Sequence, residues 1–149
     1  MCPQTAFSGP DVASIAQRYV GIPFAHRGRD GAGMDCYGLF WAMMRDLGTP
    51  LPDFEYIEDW EKAGGNVLME NYWKHGEEIQ KQDLAPGDAI LFRTVPAVAA
   101  NHIGVYIGAG RFVHCTKTCG VTVSEIDRQP HARRVVMFCK VMGETEQHD

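Results

Sequence analysis

The sequence has no surplus of positive charge. Its 149 residues hold 14 lysines and arginines against 19 aspartates and glutamates, a formal net charge of -5. Nucleic-acid binders need a basic face to replace phosphate counterions, so that class is excluded. The one basic cluster, His26-Arg27-Gly28-Arg29, is offset at once by Asp30 and Asp35. It suits a small anionic group, which makes Arg29 a candidate substrate contact. No apolar run approaches the roughly 20 residues of a membrane-spanning helix. The opening Met-Cys-Pro-Gln-Thr-Ala-Phe has no positive or apolar region of the secretory kind. Cysteine is sparse and odd in number, five in all, and without a secretory signal reduced thiols are expected. There is no Cys-x-x-Cys or His-x-x-x-His pair, so a complete zinc set is not expected. No Gly-Lys-Ser/Thr follows the glycine-bearing loop at 28–33, so a phosphate loop is excluded and no cofactor is expected. Repeats, low-complexity tracts and linkers are absent as well. The chain reads as one domain, 1–149, able to bury about two-thirds of its unfolded surface.

What is present is a change of period. Val12, Ile15, Ala16 and Tyr19 stripe a first helix over 10–20, stopped by Gly21-Ile22-Pro23. Residues 24–35 read as a loop. A second helix is expected from about Asp35 to Leu47, buried along Leu39, Phe40, Met43 and Leu47 and ended by Gly48-Thr49-Pro50. A third helical region is placed at Trp60–Ile79, weakened by Gly64-Gly65. From Pro86 the period becomes 2. Strands are expected at Ala89–Arg93, at His102–Gly108 and Arg111–Cys115 as a hairpin, at Gly120–Ser124 and at Arg134–Lys140. The polar tail from Gly143 is expected to fray. Helices first and strands second give an α+β fold, with N-terminal helices on a C-terminal antiparallel sheet of about five strands.

Three residues carry the chemistry. Cys36 follows a glycine-rich approach and opens the second helix, where exposed N–H groups favour thiolate over thiol and can hold an oxyanion. Gly31, Gly33 and Gly38 are read as room for a substrate beside the sulfur. His102 and His114 follow on the hairpin. A three-residue loop, Gly108-Ala109-Gly110, would pair Ile107 with Arg111, Val105 with Val113 and Gly104 with His114. His102 and His114 then share a face as diagonal neighbours, within reach of each other. A two-residue turn would put them on opposite faces. On this reading Cys36 is the nucleophile, His102 the general base and acid, and His114 the group that fixes the tautomer of His102. Cys115 and Cys139 are read as packing residues.

Tyr19-Val20-Gly21-Ile22-Pro23-Phe24, Asp35-Cys36-Tyr37-Gly38-Leu39, Pro86-Gly87-Asp88 and His102–Gly108 through Phe112-Val113-His114 together resemble the NlpC/P60 family of cell-wall cysteine peptidases, which have a circularly permuted papain-like fold. The resemblance implies a triad of Cys36, His102 and His114. It also implies cleavage of peptidoglycan stem peptides, typically between D-γ-glutamate and a diamino acid, with Asp35 binding a free amine. Many members carry serine where this chain has Tyr37, and tyrosine where it has Phe24, so both are candidate substrate contacts and the oxyanion is left to backbone N–H groups. The glycine-bearing loop before Cys36 resembles those of members encoded with phage tails. Phage tail proteins are therefore expected partners, and the site of action is the cell wall, reached by virion or another export route. An amidase or acyltransferase using the same triad, an inactive structural tail component and a toxin-like effector stay open as alternatives.

Overall fold

The computed structural model describes residues 11–56, 60, 68, 75–95 and 100–142. The first helix, α1, is shorter than its stripe, Val12–Gln17, capped by the Asp11 side chain. The stretch read as a loop contains a small antiparallel hairpin, β1 (Arg29–Asp30) with β2 (Gly33–Met34). Its turn is held by Ala32 N–H donating to Asp30 Oδ1 at 2.9 Å, a local bond that aspartate offers readily.

The second helix, α2, runs Cys36–Asp46 with Asp35 as N-cap. It ends as the glycine signal requires: Gly48 takes φ +88°, its N–H reaches Arg45 O, and the Thr49 N–H reaches Met44 O at 2.8 Å. That pair of bonds is a Schellman termination, which satisfies the last carbonyls.

The sheet has six antiparallel strands in the order β3-β8-β4-β5-β6-β7: Gly76–Ile79, Ala89–Phe92, His102–Gly108, Arg111–Thr116, Gly120–Glu125 and Val135–Val141 are β3 to β8 in chain order. The expected strands all appear, and β3 is additional. It occupies the end of the region read as a third helix. Its Gly-Glu-Glu-Ile sequence has no strand pattern of its own, and it forms by pairing along β8. Most of Trp60–Ile79, residues 96–99 of the Thr94–Ala100 loop and the tail from Gly143 lie outside the described residues.

One face of the sheet packs on α2. Ile103, Val105, Val113 and Cys115 meet Leu39, Phe40 and Met43 in the main core. The opposite face, which carries the histidines, is not merely polar. Ile90, Phe92, Phe112 and Ile126 form a second, smaller core there.

The β5–β6 hairpin differs from expectation in a revealing way. Its turn is two residues, Ala109-Gly110, both at positive φ (56° and 75°), the backbone twist that two-residue hairpins favour. Gly108, not Ile107, pairs with Arg111, while Val105 still pairs with Val113. An irregularity between Tyr106 and Gly108 absorbs the extra residue, as a bulge does. The slip that a two-residue turn would cause is cancelled within one strand, so His102 and His114 keep a common face. Tyr106 Oη accepts the Gly110 N–H at 3.0 Å and ties the turn to that face.

Gly38, in the first turn of α2, is fixed by close approach. A Cβ there would lie 2.0 Å from the Gly28 carbonyl oxygen. Gly33, in β2, likewise abuts Ala25 of the preceding loop, and Gly31 is exposed at the hairpin turn, so Gly38 serves loop-on-helix packing and Gly33 loop-on-hairpin packing rather than substrate access. Alanine for glycine in a helix ordinarily gains about 1 kcal/mol. Gly38→Ala should instead destabilise by at least about 2 kcal/mol, because backbone must move to admit the methyl group; the denaturant midpoint reads the sign.

Candidate active site

A cavity of about 340 Å³ is lined by Cys36, His102 and His114 together, with Phe24, Asp35 and Cys115 among its other walls. Cys36 is the first residue of α2 and 6% exposed. Two thiols face the cavity, and their surroundings separate them. Burial, then Asp35, push the Cys115 thiol up to about 12, and its Sγ donates to Met34 O at 3.1 Å. Cys115 is a packing thiol.

Asp35 is 3% exposed and its carboxylate is fully engaged. Oδ1 accepts from Gly38 N–H at 2.8 Å and Arg29 Nη1 at 3.1 Å. Oδ2 accepts from Arg27 N–H at 2.9 Å and Tyr56 Oη at 2.5 Å. Four donors meet the four acceptor positions that a carboxylate offers. Burial, then the neighbouring Asp35, hold the Tyr56 hydroxyl protonated well above its usual range, so it remains a donor.

Two expected substrate contacts are placed elsewhere. Arg29 is a structural cation: its guanidinium bonds Asp53 at 2.8 and 3.0 Å, Tyr56 Oη at 2.8 Å and Asp35, leaving it no reach into the cavity. Tyr37 is 1% exposed. Its hydroxyl donates to Pro52 O at 3.0 Å and its ring packs on Phe40 and Phe54. The helix turns position 37 into the core, one residue past the thiol. Phe24 does line the cavity, and Lys117 Nζ stands 5.9 Å from its ring centroid.

The histidines touch. His102 Nε2 and His114 Nδ1 are 2.8 Å apart, and His114 Nε2 is 2.9 Å from Ser124 Oγ. A Cβ on Gly104 would lie 2.9 Å from Phe112 Cδ2 and 3.4 Å from His114 Cβ, so glycine makes room for both rings. Burial, then positive charge on His102 and His131, lower the His114 pKa to about 2. His114 is therefore neutral, with one donor and one acceptor nitrogen. If His102 becomes imidazolium, its Nε2–H must donate to His114 Nδ1. His114 must then carry its hydrogen on Nε2 and donate to Ser124. With the same tautomers in the resting state, His102 carries its hydrogen on Nε2 and its basic lone pair on Nδ1.

Ser124 and His131 were not apparent in the sequence. Ser124 shares a face with Thr122, which pairs with His114, but the β6–β7 register is not local information. His131 sits on a single helical turn, His131–Arg134, with its ring 5.4 Å from that of His114 and edge-on to it. Among the described residues no three His, Cys, Asp or Glu side chains are grouped to hold a metal.

The model of the NlpC/P60 family matches residues 21–140. The chain belongs to the NlpC/P60 family. It is 30% identical over 115 residues to the gamma-DL-glutamyl hydrolase of Bacillus subtilis, covering 76% of this chain and 24% of that protein. It is 28% identical over 123 residues to the murein DD-endopeptidase MepS/murein LD-carboxypeptidase of Escherichia coli, covering 78% of this chain and 57% of that one. The chain thus spans a quarter to just over half of these relatives. Among solved structures, an NlpC/P60 family protein from Bacillus cereus superposes with a TM-score of 0.69 at 19% identity, over 91% of this chain and 41% of that one. The NlpC/P60 fold, helices on one antiparallel sheet, is the one expected from the sequence, with six strands among the described residues where about five were expected.

A neutral buried His114 has a consequence for stability. Below its ordinary value of 6.5 the unfolded chain binds a proton that the folded chain refuses. Stability is therefore full above about 6.5 and falls as pH drops below it. The urea midpoint should decline between pH 7 and pH 5 in the native protein and decline less in His114→Gln.

Proposed function

We propose that this chain is a cysteine peptidase that hydrolyses peptidoglycan stem peptides between D-γ-glutamate and a diamino acid. The observation that carries the reading is the 2.8 Å contact between His102 and His114 in the cavity that Cys36 lines. The γ-glutamyl and murein bonds named for its relatives support the substrate class.

In the proposed reaction His102 Nδ1 takes the Cys36 thiol proton, and His114 and Ser124 hold the ring in the tautomer that allows it. The thiolate attacks the amide carbonyl carbon. The C=O electron pair moves to oxygen, which backbone N–H groups at the start of α2 stabilise, Phe24 having no hydroxyl to offer. The C–N bond breaks as His102 gives its proton to the leaving amine, forming a thioester. Water, deprotonated by His102, then releases the acid and regenerates the thiol.

Delivery with a phage tail is part of the proposal. It rests on the loop before Cys36, and mass spectrometry of purified virions from a host strain that carries the gene tests it. A second reading, an amidase acting on an apolar acyl group, draws on Phe24, Trp60 and Phe92 in the cavity wall. Product masses from a peptidoglycan digest separate the two.

Cys36→Ser should fold normally and lose at least about a thousandfold in turnover, since the thiolate carries the covalent step. Iodoacetamide should abolish activity and EDTA should not. Undiminished turnover in Cys36→Ser, or stoichiometric zinc lost together with activity, would sink the assignment.

The relay predicts an order among its members. In kcat/KM, His102→Ala should lose most. His114→Ala should lose about ten- to a thousandfold and His114→Gln much less, because glutamine can still orient the ring. Ser124→Ala should lose about tenfold, mainly in kcat, with Ser124→Thr recovering it. A harmless His114→Ala would refute the relay.

A further inference from the structure

Resting on the peptidase reading, we propose that this enzyme recognises its substrate by a free carboxylate held at Arg134, assisted by Lys117, and not by a free amine held at Asp35.

The cavity wall carries charge of both signs. Asp35, Lys117 and Arg134 line it. His114 is held neutral, and burial, then the neighbouring Arg134, lower the pKa of His131 in the same direction. The negative charge of Asp35 is countered by Arg29 at 3.1 Å, and all four of its acceptor positions are filled by Gly38, Arg29, Arg27 and Tyr56. An incoming ammonium would have to evict one of them. Displacing Gly38 N–H would undo the cap of the helix that presents the thiol, and displacing Tyr56 or Arg29 would leave a buried donor unsatisfied. The amine pole of the cavity is therefore closed.

At the positive pole the group that counts is Arg134. Arg27 and Arg29 are paired with Asp53, but among the described residues no carboxylate is ion-paired to Arg134. Arg134 lines the cavity and its charge acts on His131, which shares its helical turn and whose ring meets His114. It is half-buried, where a charge-assisted, two-pronged bond to a carboxylate is stronger than in open water. Lys117 is exposed beside Phe24 on another wall, and its contribution is longer-range and screened by salt. A substrate with a carboxylate near the scissile amide meets this field favourably; one whose only charge there is an ammonium does not.

The test uses four γ-D-glutamyl-diamino-acid peptides: the glutamyl α-carboxyl group free or as carboxamide, and the residue before it with a free or acetylated amine. Cleavage is read as kcat/KM with the native chain, and binding separately by calorimetry with Cys36→Ala. The free carboxylate should be preferred over the carboxamide by about tenfold or more in both readouts. Acetylation of the amine should change them by less than about threefold. Arg134→Gln should bring the carboxylate preference to within about twofold. Lys117→Gln should reduce it partly, an effect that fades at about 0.5 M salt. Equal handling of carboxylate and carboxamide by the native protein, a requirement for the free amine, a preference that survives in Arg134→Gln, or no binding of any peptide overturns the proposal. The first two comparisons need no variant. A carboxylate preference in binding without any cleavage would refute the peptidase reading and leave the anion subsite standing; cleavage without preference would do the reverse.

Discussion

A carboxylate shut away from water is among the costliest groups a fold can carry unless every acceptor position is met. Asp35 meets that demand with two backbone N–H groups, a guanidinium and a tyrosine hydroxyl. The four bonds come from three stretches of chain. The helix that presents Cys36, the loop at 27–29 and the aromatic segment at 53–56 are all tied to the same two oxygens. Arg29 extends the set to Asp53, and Tyr37 and Phe54 pack beneath it. The wall of the cavity on this side is a consequence of how one buried anion is satisfied.

The other wall depends on the sheet. Alternation along β5 and β6 sends Ile103, Val105, Val113 and Cys115 toward α2 and the histidines to the reverse side. There Phe92 and Phe112 support them and reduce their contact with water. The same burial that fixes His114 also keeps it uncharged. Position and protonation state thus have one cause, and the chain His102–His114–Ser124 needs both.

What the sequence disclosed was what local signals encode. Asp35 before Cys36, Gly48 after Leu47 and the alternation through Val105 and Val113 each specify structure within a few residues, and each was legible. The roles of Arg29 and Tyr37 were not, because both are decided by the 51–56 segment that covers them, about fifteen to thirty residues away and without regular structure. Strand β3 was hidden for the same reason: Glu77 and Glu78 join the sheet only because β8 is there to pair with them. Ser124 and His131 come to His114 across contacts that no periodicity announces. The candidate nucleophile and histidines could be read; what holds and neutralises them could not.

The bulge beside Tyr106 imposes a parity rule on the hairpin. Side chains change faces with every residue, and the short Ala109-Gly110 turn alone would leave the count odd. The inserted residue makes it even. Any lineage that gains or loses a single residue here must change another nearby in the same step, or His102 and His114 part to opposite sides of the sheet. The turn looks like a free surface loop, but its length is bound to the meeting of two imidazoles on the sheet below it.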